Sequence, residues 1–187
     1  MKKQIANIVN EHEVVVRHFK EHGSPILKEI VESIMNCFRQ GGKLLLAGNG
    51  GSASDCQHIA GEFVGRYRRN RKALPAISLA TDTAVLTCIG NDYDYNSIFS
   101  RQVRAIGKSR DVLWVFSTSG SSKNILEAVI AAKEKDITVI AFTGKPKSTL
   151  ESNADICLCA NTDKTNHAQE VHQLAYHIIC EIIDDMV

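Results

Sequence analysis

The sequence predicts an α/β protein: a three-layer sandwich in which a doubly wound, five-stranded parallel sheet carries helices on both faces, with a helical extension at the N-terminus. Three observations predict it. Five short runs, "KLLLAG" (43–48), "PAISLA" (75–80), "DVLWVF" (111–116), "ITVIAF" (137–142) and "ADICLCA" (154–160), are almost continuously apolar, as strands covered on both faces must be. Helical periodicities separate the runs, giving strand–helix–strand repetition. The 187 residues are 44% hydrophobic and 23% charged, with no internal repeat, low-complexity tract or linker, so residues 1–187 read as one domain.

The elements follow in order. Apolar residues at helical spacing (Ile5, Ile8, Val9, then Ile26, Ile30, Ile34, Phe38) predict two helices, 3–22 and 25–40, broken at "HGSP". These form the extension, expected to pack on the domain and at a subunit interface. Between the strands, helices are expected at 53–66, 82–89, 95–106 and 122–135, and an amphipathic one from about 165 to the C-terminus. In such a sheet small ligands sit at the carboxyl ends of the strands, which directs attention to the loops.

Bulk properties exclude several classes. A formal net charge of +1 gives no basis for nucleic-acid or membrane-surface binding. Glu11, Glu13, Arg17 and Lys20 interrupt the N-terminal apolar positions, so neither a signal peptide nor a membrane span is expected and the protein reads as cytoplasmic. The cysteines at 37, 56, 88, 157, 159 and 180 form no CxxC pair and are expected as buried, reduced thiols, with Cys157 and Cys159 on one face of a strand.

Two loops bear on binding. "GNGGSAS" (48–54) follows a strand and opens a helix; its glycines admit positive φ and close approach of a ligand to free helix N–H groups. It is neither a Walker loop nor a dinucleotide fingerprint, and an ordinary strand–helix turn would read the same way. "STSGSS" (117–122) places five hydroxyl residues in six positions at another strand–helix junction. That is more than capping requires, and the cluster suits a phosphate monoester.

His58 and Glu62, four residues apart on one helical face, suit a metal chelate, a general base or a plain surface ion pair. Gln169, His172 and His177 stand within an apolar C-terminal helix and need partners if buried. His172 reads as a core histidine satisfied by a backbone carbonyl. The basic run "GRYRRNRK" (65–72) could steer an anionic substrate, but most of it reads as a solvated helix end or interface charge.

"GNGGSASDCQHIAGE", "FSTSGSSKNILEAV" and "AFTGK" together resemble the sugar-isomerase (SIS) domain, a phosphosugar-binding α/β fold. "EFVGRYRRNRKALPAISLATDT", "CIGNDYDYNSIFSRQV" and "QEVHQLAYHII" resemble its phosphoheptose isomerase branch, over nearly the whole chain. The resemblance implies conversion of sedoheptulose 7-phosphate to D-glycero-D-manno-heptose 7-phosphate through an enediol, feeding heptose into lipopolysaccharide or capsule. It implies a zinc ion on His58, Glu62, Gln169 and His177, with Glu62 as catalytic base and His177 as catalytic acid. Substrate contacts are implied for Asn49, Gly50, Gly51, Glu62, Asn91, Asp92, Ser117, Thr118, Ser119, Ser122 and Gln169.

A homotetramer is implied as well. Gln169 and His177 lie eight residues apart, about 12 Å of helix rise, so active sites shared between subunits are expected. Relatives that bind the replication initiator as non-catalytic adaptors, and isomerases of other phosphosugars, are the alternatives; Glu62 and His177 speak for the enzyme. The chain departs from the family's pattern in the loop "GKPKSTLESNAD" and at Gly61, His167 and Ala168, none of which carries chemistry.

Overall fold

Each of the five apolar runs forms a strand in the computed structural model, which describes residues 1–187. The order is α1 (Lys2–Arg39), β1 (Leu44–Gly48), α2 (Gly51–Val64), β2 (Ala76–Ser78), α3 (Thr83–Asp92), α4 (Ser97–Ile106), β3 (Val112–Ser117), α5 (Lys123–Lys133), β4 (Thr138–Thr143), α6 (Thr149–Asn153), β5 (Ile156–Cys159) and α7 (Thr165–Met186). The strands form one sheet in the order β2-β1-β3-β4-β5, and every pairing is parallel.

Every residue of β1 and β3 is buried, which explains their unbroken hydrophobicity. Alternate side chains serve opposite faces. Leu44, Leu46, Trp114, Phe116 and Phe142 meet Ile34, Ile59, Phe63, Val171 and Ile179, from α1, α2 and α7. Leu45, Ala47, Leu113, Val115 and Val139 meet Phe99, Val103, Ile125 and Ala128, from α4 and α5. The strand order reverses between β1 and β3, so the crevice at their carboxyl ends is the topological switch point. Both polar loops, 48–54 and 117–122, open there.

The N-terminal segment differs from expectation. It is one helix of 38 residues with Pro25 inside it, not two helices broken at "HGSP". Pro25 removes a single N–H donor at a cost of about 3 kcal/mol in a helix interior. Val15 and Phe19 before it and Leu27, Ile30, Val31 and Ile34 after it bury in the same core, and that packing outweighs the loss. Gly23 also has a use, since a Cβ there would stand 2.7 Å from the Phe19 ring. The short α6, in the "GKPKSTLESNAD" stretch, was not expected; its signal is a capping box between Ser148 and Glu151, not periodicity.

All six cysteines are free, but only Cys37, Cys56 and Cys180 are buried. Burial pushes the Cys37 and Cys180 thiols up to about 12. Cys88 is exposed because α3 buries only Ile89. Cys157 and Cys159 share one half-buried face of β5, beside the Thr143 hydroxyl and the Gly144 carbonyl.

The basic run resolves into a clamp. Arg71, with a side chain 5% exposed, pairs at 2.8 Å with the buried Asp184 of α7. It also donates to the carbonyls of Glu62 and Phe63, capping the C-terminus of α2. Asp184 accepts from the backbone N–H groups of Arg68 and Arg69, while Arg68 pairs with Glu181 at the surface. Arg71 is therefore neither solvated nor a steering charge.

Candidate active site

α2 and α7 lie side by side on one face of the sheet and run in the same direction: Gln169 meets Gly51 and Asp55, and His177 meets His58. This pairing builds the centre of the site. His58 Nε2 and Glu62 Oε1 stand 3.0 Å apart, the two side chains projecting from one face of α2 as their spacing predicts. The His177 ring lies edge-on to His58 at 5.0 Å between centroids. Ligand atoms of His58, Glu62 and His177 all fall within 4.8 Å of one another, in one chain. No second subunit is needed to bring Glu62 and His177 together.

Gln169 is placed differently. Its Nε2 donates to Asp55 Oδ2 at 3.1 Å, one helical turn before His58. Gly51 is what lets it lie there, since a Cβ at that position would sit 2.4 Å from Gln169 Nε2. The structure thus gathers three of the four expected ligands and sets the fourth beside them on a buried carboxyl.

Two further residues, Asp55 and Tyr176, complete this region and are not singled out by sequence pattern. Asp55 is 6% exposed and Tyr176 is fully buried. The Tyr176 hydroxyl lies 3.1 Å from His58 Nδ1. Burial raises the Asp55 pKa above the ordinary carboxylate value, against hydrogen bonds from Gln169 and Tyr176 and the charges of His58 and His177. Burial and the neighbouring His58 lower His177 below the ordinary imidazole value. Asp55 was legible in principle: positions 55, 58 and 62 share one helical face.

The donor set suits zinc. Two imidazoles and a carboxylate are a common catalytic combination, and the 3.0 Å between His58 and Glu62 matches neighbouring ligands on one ion. His58 has its second nitrogen held by Tyr176, as a metal-bound histidine generally does.

The loops form the other end. Gly50 takes φ of 56° at the N-cap of α2, leaving the Ser52 and Ala53 amides to bond back to the Asn49 and Gly50 carbonyls. In 117–122, Ser117 bonds Ser122 at 3.0 Å and Ser119 at 3.4 Å, and Ser119 accepts from Ser121, so these hydroxyls converge. Thr118 sits at the same turn, where its carbonyl accepts from Gly144 N–H. The two loops are clasped. Asn49 and Asn124 exchange amide hydrogen bonds of 2.9 and 2.8 Å, and the Tyr95 hydroxyl adds a third bond to Asn49 Oδ1 at 3.1 Å. Asn124, buried one residue into α5, also goes unmarked in the sequence, where it reads as part of a helix start.

Asn91 and Asp92 do not join either group. They end α3, bonded to each other and to Cys88, and are exposed. His172 is as expected: fully buried, it bonds the Thr143 carbonyl through Nε2 at 3.1 Å.

Residues 9–144 match the family model described as the SIS domain. The phosphoheptose isomerase of Roseiflexus sp. is 47% identical over 91% of this chain and 86% of its own length. That of Sulfurimonas denitrificans is 42% identical over 98% and 95%. The solved phosphoheptose isomerase GmhA from Neisseria gonorrhoeae superposes with a TM-score of 0.93 at 38% identity, covering 98% of each chain. The phosphoheptose isomerase from Francisella tularensis gives 0.94 at 34% identity, covering 98% of this chain and 97% of its own.

Proposed function

The chain belongs to the phosphoheptose isomerases of the SIS domain family, and on that footing we propose that Glu62 and His177 carry hydrogen between C1 and C2 of a phosphorylated seven-carbon sugar. The enzyme is an aldose–ketose isomerase acting on sedoheptulose 7-phosphate. The observation that carries the residue assignment is the meeting of His58, Glu62 and His177 in one chain. The adaptor alternative lacks support, since the catalytic carboxylate and imidazole are both present and the relatives above are named as isomerases.

The Glu62 carboxylate takes a proton from C1 of the open-chain ketose while His177 gives one to the C2 oxygen, leaving an enediol. Return of the proton from Glu62 to C2, with loss of the O1 proton to His177, yields the aldehyde and restores both residues. His177, held below the ordinary imidazole range, is neutral near pH 7 and donates from its ring N–H. The hydroxyls of Ser117, Thr118, Ser119 and Ser122 and the amides of Gly50 and Gly51 suit the phosphate, whose grip orients the reacting carbons. Gln169 would complete the contacts along the sugar, while Asn91 and Asp92 lie apart from both groups and carry no assigned contact.

His58, Glu62 and His177 would hold zinc, with Gln169 joining on rotation away from Asp55. When bound, the ion would polarise the carbonyl oxygen. Removal of metal by a chelator is expected to abolish turnover, and added zinc to restore it, on a fraction whose metal content is measured in parallel.

We further read the protein as a cytoplasmic homotetramer supplying heptose for lipopolysaccharide or capsule. Leu174, Ile182 and Met186 stand exposed along α7, beside a groove lined by Leu27, Val31 and Ile178. A second copy covering that stripe would enclose His58, whose side chain is 43% exposed in the single chain. The decisive experiment is an assay with sedoheptulose 7-phosphate in deuterated water. Solvent deuterium entering the product at C2 is expected; an active wild-type protein whose Glu62→Gln variant isomerises at the same rate would overturn the assignment.

A further inference from the structure

Asn124, 3% exposed in the first turn of α5, spends its side chain outside its own helix. It donates to Asn49 Oδ1 at 2.8 Å and accepts from Asn49 Nδ2 at 2.9 Å, across 75 positions of sequence. Turning both amides over exchanges donors for acceptors and still leaves two bonds, so the pairing holds in either orientation.

The topology explains what such a tie does at this place. The ladder between β1 and β3 ends at the pair Gly48–Phe116. Beyond it the two chains part, because α2 packs on one face of the sheet and α5 on the other. A crevice opens between the glycine loop and the hydroxyl loop for that reason. Asn49 is the first residue past the ladder, and the two amide bonds are the only hydrogen bonds that join the loops above it. The hydroxyl loop has a brace on its other side, where the Thr118 and Gly120 carbonyls accept from the Gly144 and Leu150 amides. The glycine loop lacks such a backbone brace, and its glycines leave it more conformational freedom to lose. A phosphate gripped from both sides needs donors at a fixed separation before it arrives, or binding must bear the cost of ordering them.

On the reading of both loops as a phosphate grip, we propose that Asn124 is a positioning residue. It ties Asn49 across the switch point and so fixes the separation of the Gly50 and Gly51 amides from the hydroxyls of 117–122.

Asn124→Leu keeps the buried volume and removes both bonds. Hydrogen exchange in the ligand-free protein reads the glycine loop through the Ser52 and Ala53 amides, which bond to the Asn49 and Gly50 carbonyls within that loop. Titration with inorganic phosphate, followed by NMR, reads the grip without turnover, and thermal midpoints confirm folding. Ser119→Ala is the comparator, since it removes a hydroxyl of the grip and leaves the tie in place.

In Asn124→Leu, the Ser52 and Ala53 amides are expected to exchange at least roughly tenfold faster, with the β1 and β3 amides unchanged. Inorganic phosphate should bind about tenfold more weakly, the worth of one to two hydrogen bonds. Ser119→Ala should weaken phosphate with exchange at Ser52 and Ala53 unaltered. Unchanged exchange in folded Asn124→Leu overturns the proposal, and so does faster exchange with phosphate affinity intact. A wild type that binds no inorganic phosphate overturns the grip reading, and the exchange comparison then decides by itself whether Asn124 holds the loop. Should Asn124→Leu not fold, Asn124→Asp takes its place in the exchange measurement: it keeps the size and one acceptor but has no hydrogen to return to Asn49.

Discussion

On the proposed reading, Glu62 serves the chemistry of the site and Ser119 its grip. Glu62→Gln keeps shape but loses the base, so kcat should fall by at least roughly 100-fold with substrate affinity largely kept. Ser119→Ala removes one hydroxyl from a convergent set; KM should rise roughly fivefold, the worth of about 1 kcal/mol, with kcat little changed. Steady-state kinetics beside equilibrium binding separates the two, and the reverse pattern would refute the division. His172 predicts a pH effect on stability rather than rate. Burial holds it down to about 4, against 6.5 for the free side chain. The unfolded chain therefore binds the proton first as pH falls. Stability is full above pH 6.5 and declines toward pH 4, by about 3 kcal/mol from this group. His172→Gln retains a donor for Thr143 and should flatten that part of the curve in denaturant titrations at several pH values. At this scale the sequence displayed residue types and spacing, hence His58, Glu62 and the His172 carbonyl bond. Tyr176 and Asn124 stayed hidden because their partners are 118 and 75 positions away.

Helices α1, α2 and α7 show what local signals decide and what they do not. "HGSP" is a sound break signal, yet α1 runs through it because both halves bury on the same sheet face. Pro25 itself is exposed. Pro25→Ala should restore an N–H to the helix and raise stability by about 1–3 kcal/mol, seen as a higher unfolding midpoint; a lower one would mean the ring serves a contact outside this chain. Gly23→Ala should do the opposite, since the Phe19 ring occupies the space of the added methyl group. The strands were legible from continuous hydrophobicity, and α2, α4, α5 and α7 from apolar periodicity. The Arg71–Asp184 clamp was not, because a run of five basic residues gives no hint that one is 5% exposed and facing an acid 113 positions on.

In the whole molecule, the parallel α2 and α7 bring His58, Glu62 and His177 together within one chain, while the glycine and hydroxyl loops meet at the β1/β3 switch point, where the proposed phosphate grip lies. Mixing Glu62→Ala chains with His177→Ala chains should restore no activity, because the two residues meet inside each chain; recovery after confirmed subunit exchange would mean the pair is drawn from different copies. Ile182→Asp, on the exposed stripe of α7, should reduce the oligomer measured by light scattering and lower activity with it. The fold class and the crevice were legible because strand count and parallel connection leave few topologies. The subunit arrangement was not, because an apolar stripe names a covered face without naming the angle at which it is covered. Arg71 grips the last carbonyls of α2 and the acid of α7, so the spacing of Glu62 and His177 is held from behind by a guanidinium. A mutational screen scored only by turnover would rank Arg71 among the residues that touch the sugar, and a ligand design that trusted the ranking would aim a substituent at a side chain 5% exposed and already spent on Asp184.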